Sequence, residues 1–179
     1  MRIMQIMQWL SFCCAVSLFA VEPPKRMLLY EQTRDGIEAV FADCASRGVR
    51  RIEVVLLPAG EVRPNALGEY AMGYGGQTHL DVGLPNPAFF QHLEWVLKRA
   101  AAKQIELAVL PADQQSMLLA GNSSEKFFDW GRYLGRRFIR TRNLVWLKQA
   151  KESSEAALAL EEGIRHFDAK HRFEWSSAN

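Results

Sequence analysis

From Thr33 to Arg47, apolar residues recur at Ile37, Val40, Phe41, Cys44 and Ala45, the spacing of one face of a helix. Thr33 stands where an N-cap belongs and Gly48 where a helix ends. The run "RIEVVLLP", Arg51 to Pro58, is almost continuously apolar and β-branched, as strands buried on both faces are. Asn86 and Pro87 then open a second helix, with Phe89, Phe90, Leu93, Val96, Leu97 and Ala100 on its buried side. "IELAVLP", Ile105 to Pro111, repeats the strand pattern. "SSEKFFDWGRYLGRRF" predicts a third helix, capped by Ser123 or Ser124, with Phe127, Gly131, Leu134 and Phe138 on one face. "NLVWL" is a third strand, "ESSEAALALEEGIRHF" a fourth helix, and "RFEWS", Arg172 to Ser176, a last short strand.

Strand and helix alternate without interruption, which predicts an α/β domain with a parallel sheet and crossover helices. An open α/β sheet and part of a (β/α) barrel both satisfy the pattern, with three to four strands. No GxGxxG follows a strand and no Walker-type glycine–lysine loop is present, so nucleotide-binding versions lose support. Nothing in the sequence calls for a cofactor.

Composition changes the picture at the N-terminus only. Arg2 is the one charge before Glu22, and "WLSFCCAVSLFA", Trp9 to Ala20, has the length of a signal-peptide core. Small residues at Ala15 and Ser17 suit cleavage after Ser17, and Ala20 is the second choice. The expected organisation is a signal over residues 1–20 and a domain over 21–179, with export to the periplasm or the extracellular space. The competing reading is a membrane anchor over residues 3–20, which Gln5 and Gln8 weaken. Once Cys13 and Cys14 leave with a signal, Cys44 is the one remaining thiol and is expected as a core filler. The net charge of +2 gives no argument for a nucleic-acid partner. The basic run Arg136, Arg137, Arg140 and Arg142 falls at a helix end, where cations complement the helix dipole.

Candidate chemistry lies where strands end. The long loop from Ala59 to Pro85 is glycine-rich and carries Glu61, Asn65 and Glu69; loops of that length in compact domains are commonly functional. Asn65-Ala66-Leu67-Gly68 also has the composition of a turn. Asp113 and Gln114 follow the second run, and carboxylates and amides there suit sugar hydroxyls, with a turn role for Asp113 as the alternative. Glu53 and Glu106 lie inside strands and are expected at a polar edge or in ion pairs. Trp95, Trp130 and Trp146 fall in helix or strand patterns and are expected in the core. Trp175 is either a sugar platform or edge packing. His79, His92, His166 and His171 show no metal-ligand spacing, so no metal site is expected.

The blocks "VVLLPAGEVRPNALGEYAM", "LPNPAFFQHLEWVLKRAAAKQIELAVLP" and "WGRYLGRRFIRTRNLVWL" resemble the apiosidase-like (β/α)-barrel glycoside hydrolases, over about Thr33 to Leu147. The resemblance implies a TIM-type barrel, a secreted location and plant cell-wall carbohydrate as substrate. It also implies that Glu61, Asn65 and Glu69 match the family's Asn-x-x-Gly-Glu stretch at the barrel mouth. The departures are specific. The family's Gly-Asp-Thr on the opening strand has no counterpart in "VEPPKRMLLYEQ". Its Gly-Gly-Asp after the strand at Leu147, the source of a catalytic carboxylate, is replaced by Gln149-Ala150-Lys151, and a family His near the last strand by Ser176. A full barrel takes about 250 residues, and the second catalytic carboxylate is expected beyond the C-terminus.

Glycoside hydrolysis normally takes two carboxyls at a fixed separation. The leading expectation is therefore an exported, shortened and catalytically impaired relative that binds carbohydrate through Glu61, Asn65, Glu69, Asp113 and Gln114. An active glycosidase with a rearranged pair drawn from Glu69, Glu152 and Glu174 is the second reading. The third is a self-associating or partner-dependent half-barrel that covers exposed sheet edges.

Overall fold

The computed structural model describes residues 26–58, 64–73, 81–113, 122–149 and 154–176, with the exception of the Tyr30 side chain. The expected signal or anchor segment lies outside the described residues, as do Glu61, His79, Gln114 and Glu152. Among the described residues no helix is long and apolar enough to cross a membrane.

Among the described residues five strands form one sheet: β1 (Arg26–Leu28), β2 (Arg51–Leu57), β3 (Glu106–Ala112), β4 (Leu144–Lys148) and β5 (Phe173–Trp175). All neighbours are parallel and the spatial order equals the chain order. Among the described residues four helices connect them: α1 (Arg34–Ser46), α2 (Pro87–Ala102), α3 (Ser124–Phe138) and α4 (Glu155–Phe167). A single 3-10 turn, Leu29–Glu31, follows β1. An order without reversal keeps every right-handed crossover on the same face of the sheet, which rolls it toward a barrel rather than opening it as a doubly wound sheet.

The sheet has one strand more than the three to four expected. β1 is that strand, in the stretch where the sequence offers only "RML" after two prolines. Three residues are too few to display a period of two, so its pairing with Glu53, Val54 and Val55 of β2 is invisible to pattern reading.

The helix starts follow local chemistry. The side-chain oxygens of Thr33, Asn86, Ser123 and Ser154 accept from the backbone N–H groups of Gly36, Ala88, Lys126 and Ala157. Each satisfies a donor that the first helical turn leaves free.

The outer face of the sheet, through Ile52, Val54, Leu107, Val109, Leu144 and Trp146, packs on the helices around Ile37, Phe41, Cys44, Phe90, Leu93 and Phe138. Trp130, Trp146 and Cys44 are buried in this layer; Trp95 is partly buried, with the Arg34 guanidinium over its ring at 5.1 Å. Alternate residues form a smaller inner cluster, Val55, Ala108, Leu110, Val145 and Leu147, all buried. Helices α3 and α4 meet through Gly131, Gly135 and Gly163. A Cβ at these positions would run into the carbonyl oxygens of Leu160, Ile164 and Phe128 respectively.

At the opposite end from the expected mouth, Asp168 is fully buried. It accepts from Trp146 Nε1 (3.0 Å) and pairs with His171 Nδ1 (2.5 Å).

Candidate functional site

The C-terminal ends of parallel strands are where a rolled (β/α) sheet collects functional side chains. After β2, residues Asn65 to Glu69 form a compact turn built on one amide. Asn65 Oδ1 accepts from the N–H groups of Leu67 and Glu69, each at 2.9 Å. The backbone closes the same turn: Asn65 N–H donates to Glu69 C=O (2.7 Å) and Gly68 N–H to Asn65 C=O (2.9 Å). Gly68 has φ +81°, a conformation that costs glycine nothing. Asn65 is buried, and its Nδ2 group has no hydrogen-bond partner. The sequence offered Asn65 both as a turn former and as a sugar contact; its oxygen builds the turn and its nitrogen is left over.

Asn86 ties this turn to α2. Its Nδ2 donates to Glu69 Oε2 (3.0 Å) and to Tyr70 C=O (2.8 Å), while its Oδ1 caps the helix. Its N–H donates to Ala71 C=O (3.0 Å), and Met72 bridges to Pro85. The tether holds one Glu69 oxygen in place. Beside it Leu67, Tyr70 and Leu84 are exposed, so three of the large exposed hydrophobic side chains among the described residues belong to this one loop.

Asp113 follows β3, is buried, and donates its N–H to Leu57 C=O (3.0 Å). It lines a cavity of about 450 Å³ together with Pro58 after β2 and Leu28, Glu31 and Arg26 on the β1 side. Asn65 and Glu69 do not line that cavity, so the described candidates for sugar binding fall in two groups: the Asn65–Glu69 turn and the Asp113 cavity.

Glu174 belongs to a third place. It lies on the inner face of β5, where its Oε2 meets Arg51 (2.7 Å) and its Oε1 meets Arg172 (2.6 Å). Glu106 bridges the same two guanidinium groups, at 3.4 Å and 2.8 Å, so the four charges close a ring. The Arg51 hydrogen bond, with Arg172 beyond it, holds the Glu174 carboxyl below the usual carboxylate range against the opposing effect of burial. The ladder sets Glu174 beside Leu147 and, through β3, level with Val55. Its partner is instead Arg51 at the start of β2, the offset that strand tilt produces in a barrel. One layer higher, Ser176 Oγ donates to Glu53 Oε2 (3.3 Å), with both residues buried. Glu106 is thus in ion pairs, as expected, whereas Glu53 is buried on the inner face and bonded to a hydroxyl rather than at a polar edge.

β4 ends in Lys148 and Gln149. The Lys148 ammonium lies 3.2 Å from Glu161 and over the Trp175 ring at 4.5 Å. Trp175 is exposed on the outer side of the sheet. Among the described residues no group of three His, Cys, Asp or Glu side chains comes together as metal ligands.

The signature of the apiosidase-like catalytic domain matches residues 27–176. The chain belongs to the apiosidase-like family. None of the curated proteins matches it. Among solved structures, the apiosidase-like chain is similar to a glycoside hydrolase family 5 protein from Bacteroides vulgatus (TM-score 0.65, 20% identity, 85% of this chain and 32% of that one). A second glycoside hydrolase gives a TM-score of 0.66 at 19% identity, covering 85% of this chain and 34% of that one. The endoglucanase Cel5A of Pseudomonas stutzeri gives 0.55 at 18% identity, covering 78% and 42%. At these identities the likeness is one of fold. The apiosidase-like chain spans about a third of the length of the first two.

Pattern reading named Asn65, Glu69 and Asp113 as candidates and passed over residues that stand beside them. Asn86 was legible as a cap and not as the tether of Glu69. Glu31 and Arg26 were passed over because β1 itself was not seen. A charged residue just beyond an undetected strand has no signal of its own.

Proposed function

We propose that this chain is an exported carbohydrate-binding member of its family whose glycosidase chemistry is impaired. The observation that carries the binding part is the buried, unpartnered Nδ2 of Asn65. An amide left without a partner costs about 1–3 kcal/mol, and a slight opening of the turn would let a sugar hydroxyl oxygen reach and satisfy it. Glu69 offers a carboxylate fixed by Asn86 for a second hydroxyl, and Tyr70 an exposed ring for the apolar face of a sugar. The similar structures include a glycoside hydrolase and an endoglucanase, which favours a glycan over other polar ligands.

Impairment is supported by the end of β4. Lys148 and Gln149 stand where the family resemblance leads one to expect the approach to a catalytic Asp, and the Lys148 ammonium is engaged by Glu161. Of the carboxylates weighed for a rearranged pair, Glu174 has both oxygens in the arginine ring, which leaves it poorly placed to exchange protons with a substrate.

The test is a thermal melt of the purified chain with and without plant cell-wall oligosaccharides, alongside a reducing-sugar assay. The expected result is an upward shift that Glu69→Gln and Asn65→Ala abolish, with no sugar release. Release of sugar that Glu69→Gln eliminates would establish the active-enzyme reading instead, and no shift with any glycan would remove the binding reading.

A further inference from the structure

All five strands run the same way, so the turns leading into β2, β3, β4 and β5 lie together at one end of the sheet, opposite the Asn65–Glu69 turn. Hydrogen bonds join them into one surface. Arg50 Nη1 donates to Lys103 C=O (3.3 Å), Asn143 Nδ2 donates to Ile105 C=O (3.0 Å), and His171 Nε2 lies 2.6 Å from Thr141 C=O. Arg50, Lys103, Arg140, Arg142 and Lys170 are exposed in these turns. Asp168 is the one carboxylate in them, and it is buried against His171. Arg47 is answered by Asp43, and Arg172 by Glu106 and Glu174. Arg140 and Arg142 have no ion-pair or hydrogen-bond partner among the described residues. Asp35, Glu125 and Glu155 lie instead in the first turns of their helices, at the other end. The net charge of +2 thus conceals an end that is almost purely cationic.

We propose that this end faces a membrane and binds anionic phospholipid headgroups, with the Asn65–Glu69 turn directed away from the lipid. Clustered Lys and Arg side chains are drawn to the negative surface potential of such a leaflet. The course of the chain selects lipid over other polyanions. β1 begins at Arg26 and is parallel to β2, so the polypeptide enters the sheet at the cationic end. In sequence, residues 21–25 alone separate Arg26 from the apolar run Trp9 to Ala20. Five residues reach at most about 18 Å. An apolar run joined to a cationic surface supplies the two signals that stable membrane attachment combines. The association involves neither Asn65 nor Glu69, so it stands or falls apart from carbohydrate binding.

The test is flotation of the full chain with vesicles of phosphatidylcholine alone and of phosphatidylcholine mixed with phosphatidylglycerol. Neutral vesicles read the apolar run, and the gain on adding phosphatidylglycerol reads the cationic end. The expected gain is at least about tenfold in affinity, and it should shrink in high salt. R140E/R142E should remove most of that gain while keeping the binding to neutral vesicles. It should also keep the wild-type melt, because neither side chain has a partner to lose. K103E/K170E, in the two flanking turns, should have the same effect. No gain, a gain that either double variant retains in full, or tighter capture by polygalacturonate than by the anionic vesicles would overturn the proposal.

Discussion

His171 Nδ1 lies 2.5 Å from Asp168 Oδ2, and its Nε2 lies 2.6 Å from the carbonyl oxygen of Thr141. Both partners are acceptors, so both ring nitrogens must donate, which fixes the ring as an imidazolium. The Asp168 hydrogen bond is the main cause that raises the His171 pKa, against burial. Burial pushes the Asp168 carboxyl up, but the bonds from His171 and Trp146 outweigh it and leave it lowered.

The sign of the resulting pH dependence follows. A raised histidine contributes stability that is complete below its unfolded value, about 6.5, and is lost as pH rises through the folded value. A lowered aspartate contributes above its unfolded value of about 3.9 and loses that contribution as pH falls through the folded value. The pair is fully effective between those limits. His171→Gln should therefore flatten the decline of the urea midpoint as pH rises above the unfolded value of about 6.5. An unchanged decline in the variant would assign it elsewhere.

His92 works in the opposite direction. It is buried in α2, stacks on Trp95 at 5.7 Å, and has no partner at either ring nitrogen. Burial first, and the Arg34 charge second, lower its pKa. Its neutral form is what the fold accepts, so stability is complete above about pH 6.5 and falls as pH drops through the lowered value. His92→Leu should stabilise the protein by about 1 kcal/mol at neutral pH by removing unpaired polar atoms. The gain should grow in acid, as read from denaturant midpoints; a loss at pH 5 would count against this account.

Glycine-to-alanine changes in a helix are ordinarily favourable by up to about 1 kcal/mol. At Gly131 and Gly163 the sign should reverse. A methyl group there meets the backbone of the facing helix, and overpacking costs about 1–3 kcal/mol or more. Thermal melts of Gly131→Ala and Gly163→Ala should show clear destabilisation, and a raised Tm in either would mean that α3 and α4 separate easily.

The arginine–glutamate ring and the Asn65–Glu69 turn should be separable by mutation. Glu174→Gln leaves the turn untouched. Each ring partner is about a third or more exposed, so its loss should cost less than about 1 kcal/mol after solvent screening. Sugar-induced stabilisation should survive Glu174→Gln and vanish in Glu69→Gln. The reverse pattern would move the site to the inner face of the sheet.

Asn86→Ala should do two things at once. Removing the cap costs about 1 kcal/mol, and losing the Glu69 contact frees the carboxylate that the turn presents. Asn86→Asp keeps the capping oxygen and replaces the Nδ2 donor, so it should retain the melt better than the sugar response. Calorimetric titration with an oligosaccharide distinguishes the two effects.

What sequence reveals here is what neighbouring residues decide. Thr33, Asn86 and Ser123 cap helices through contacts a few residues away, and the apolar runs of β2, β3 and β4 announce buried strands. Asn65-Ala66-Leu67-Gly68 was legible as a turn because its hydrogen bonds close within five residues of chain. The rest depends on how the sheet rolls. Arg51 meets Glu174, and Glu106 meets Arg172, only because the strands tilt. Gly131 belongs visibly to an apolar stripe, yet its close approach to α4 needs Gly163 on the other helix. The loose nitrogen of Asn65 has no sequence signal at all, because it is defined by what surrounds it in space.

The match between chain order and spatial order has a kinetic consequence. Each strand pairs with the one made just before it, so the sheet can extend one strand and one helix at a time as the polypeptide is synthesised. Such pairing keeps loop closures short and avoids the delay that distant contacts impose. The bonds from Arg172 and Glu174 back to Glu106 and Arg51, with that from Ser176 to Glu53, are exceptions, since they wait for β5. Their formation marks the arrival of β5, and a probe on that ring would report that step rather than the docking of β1.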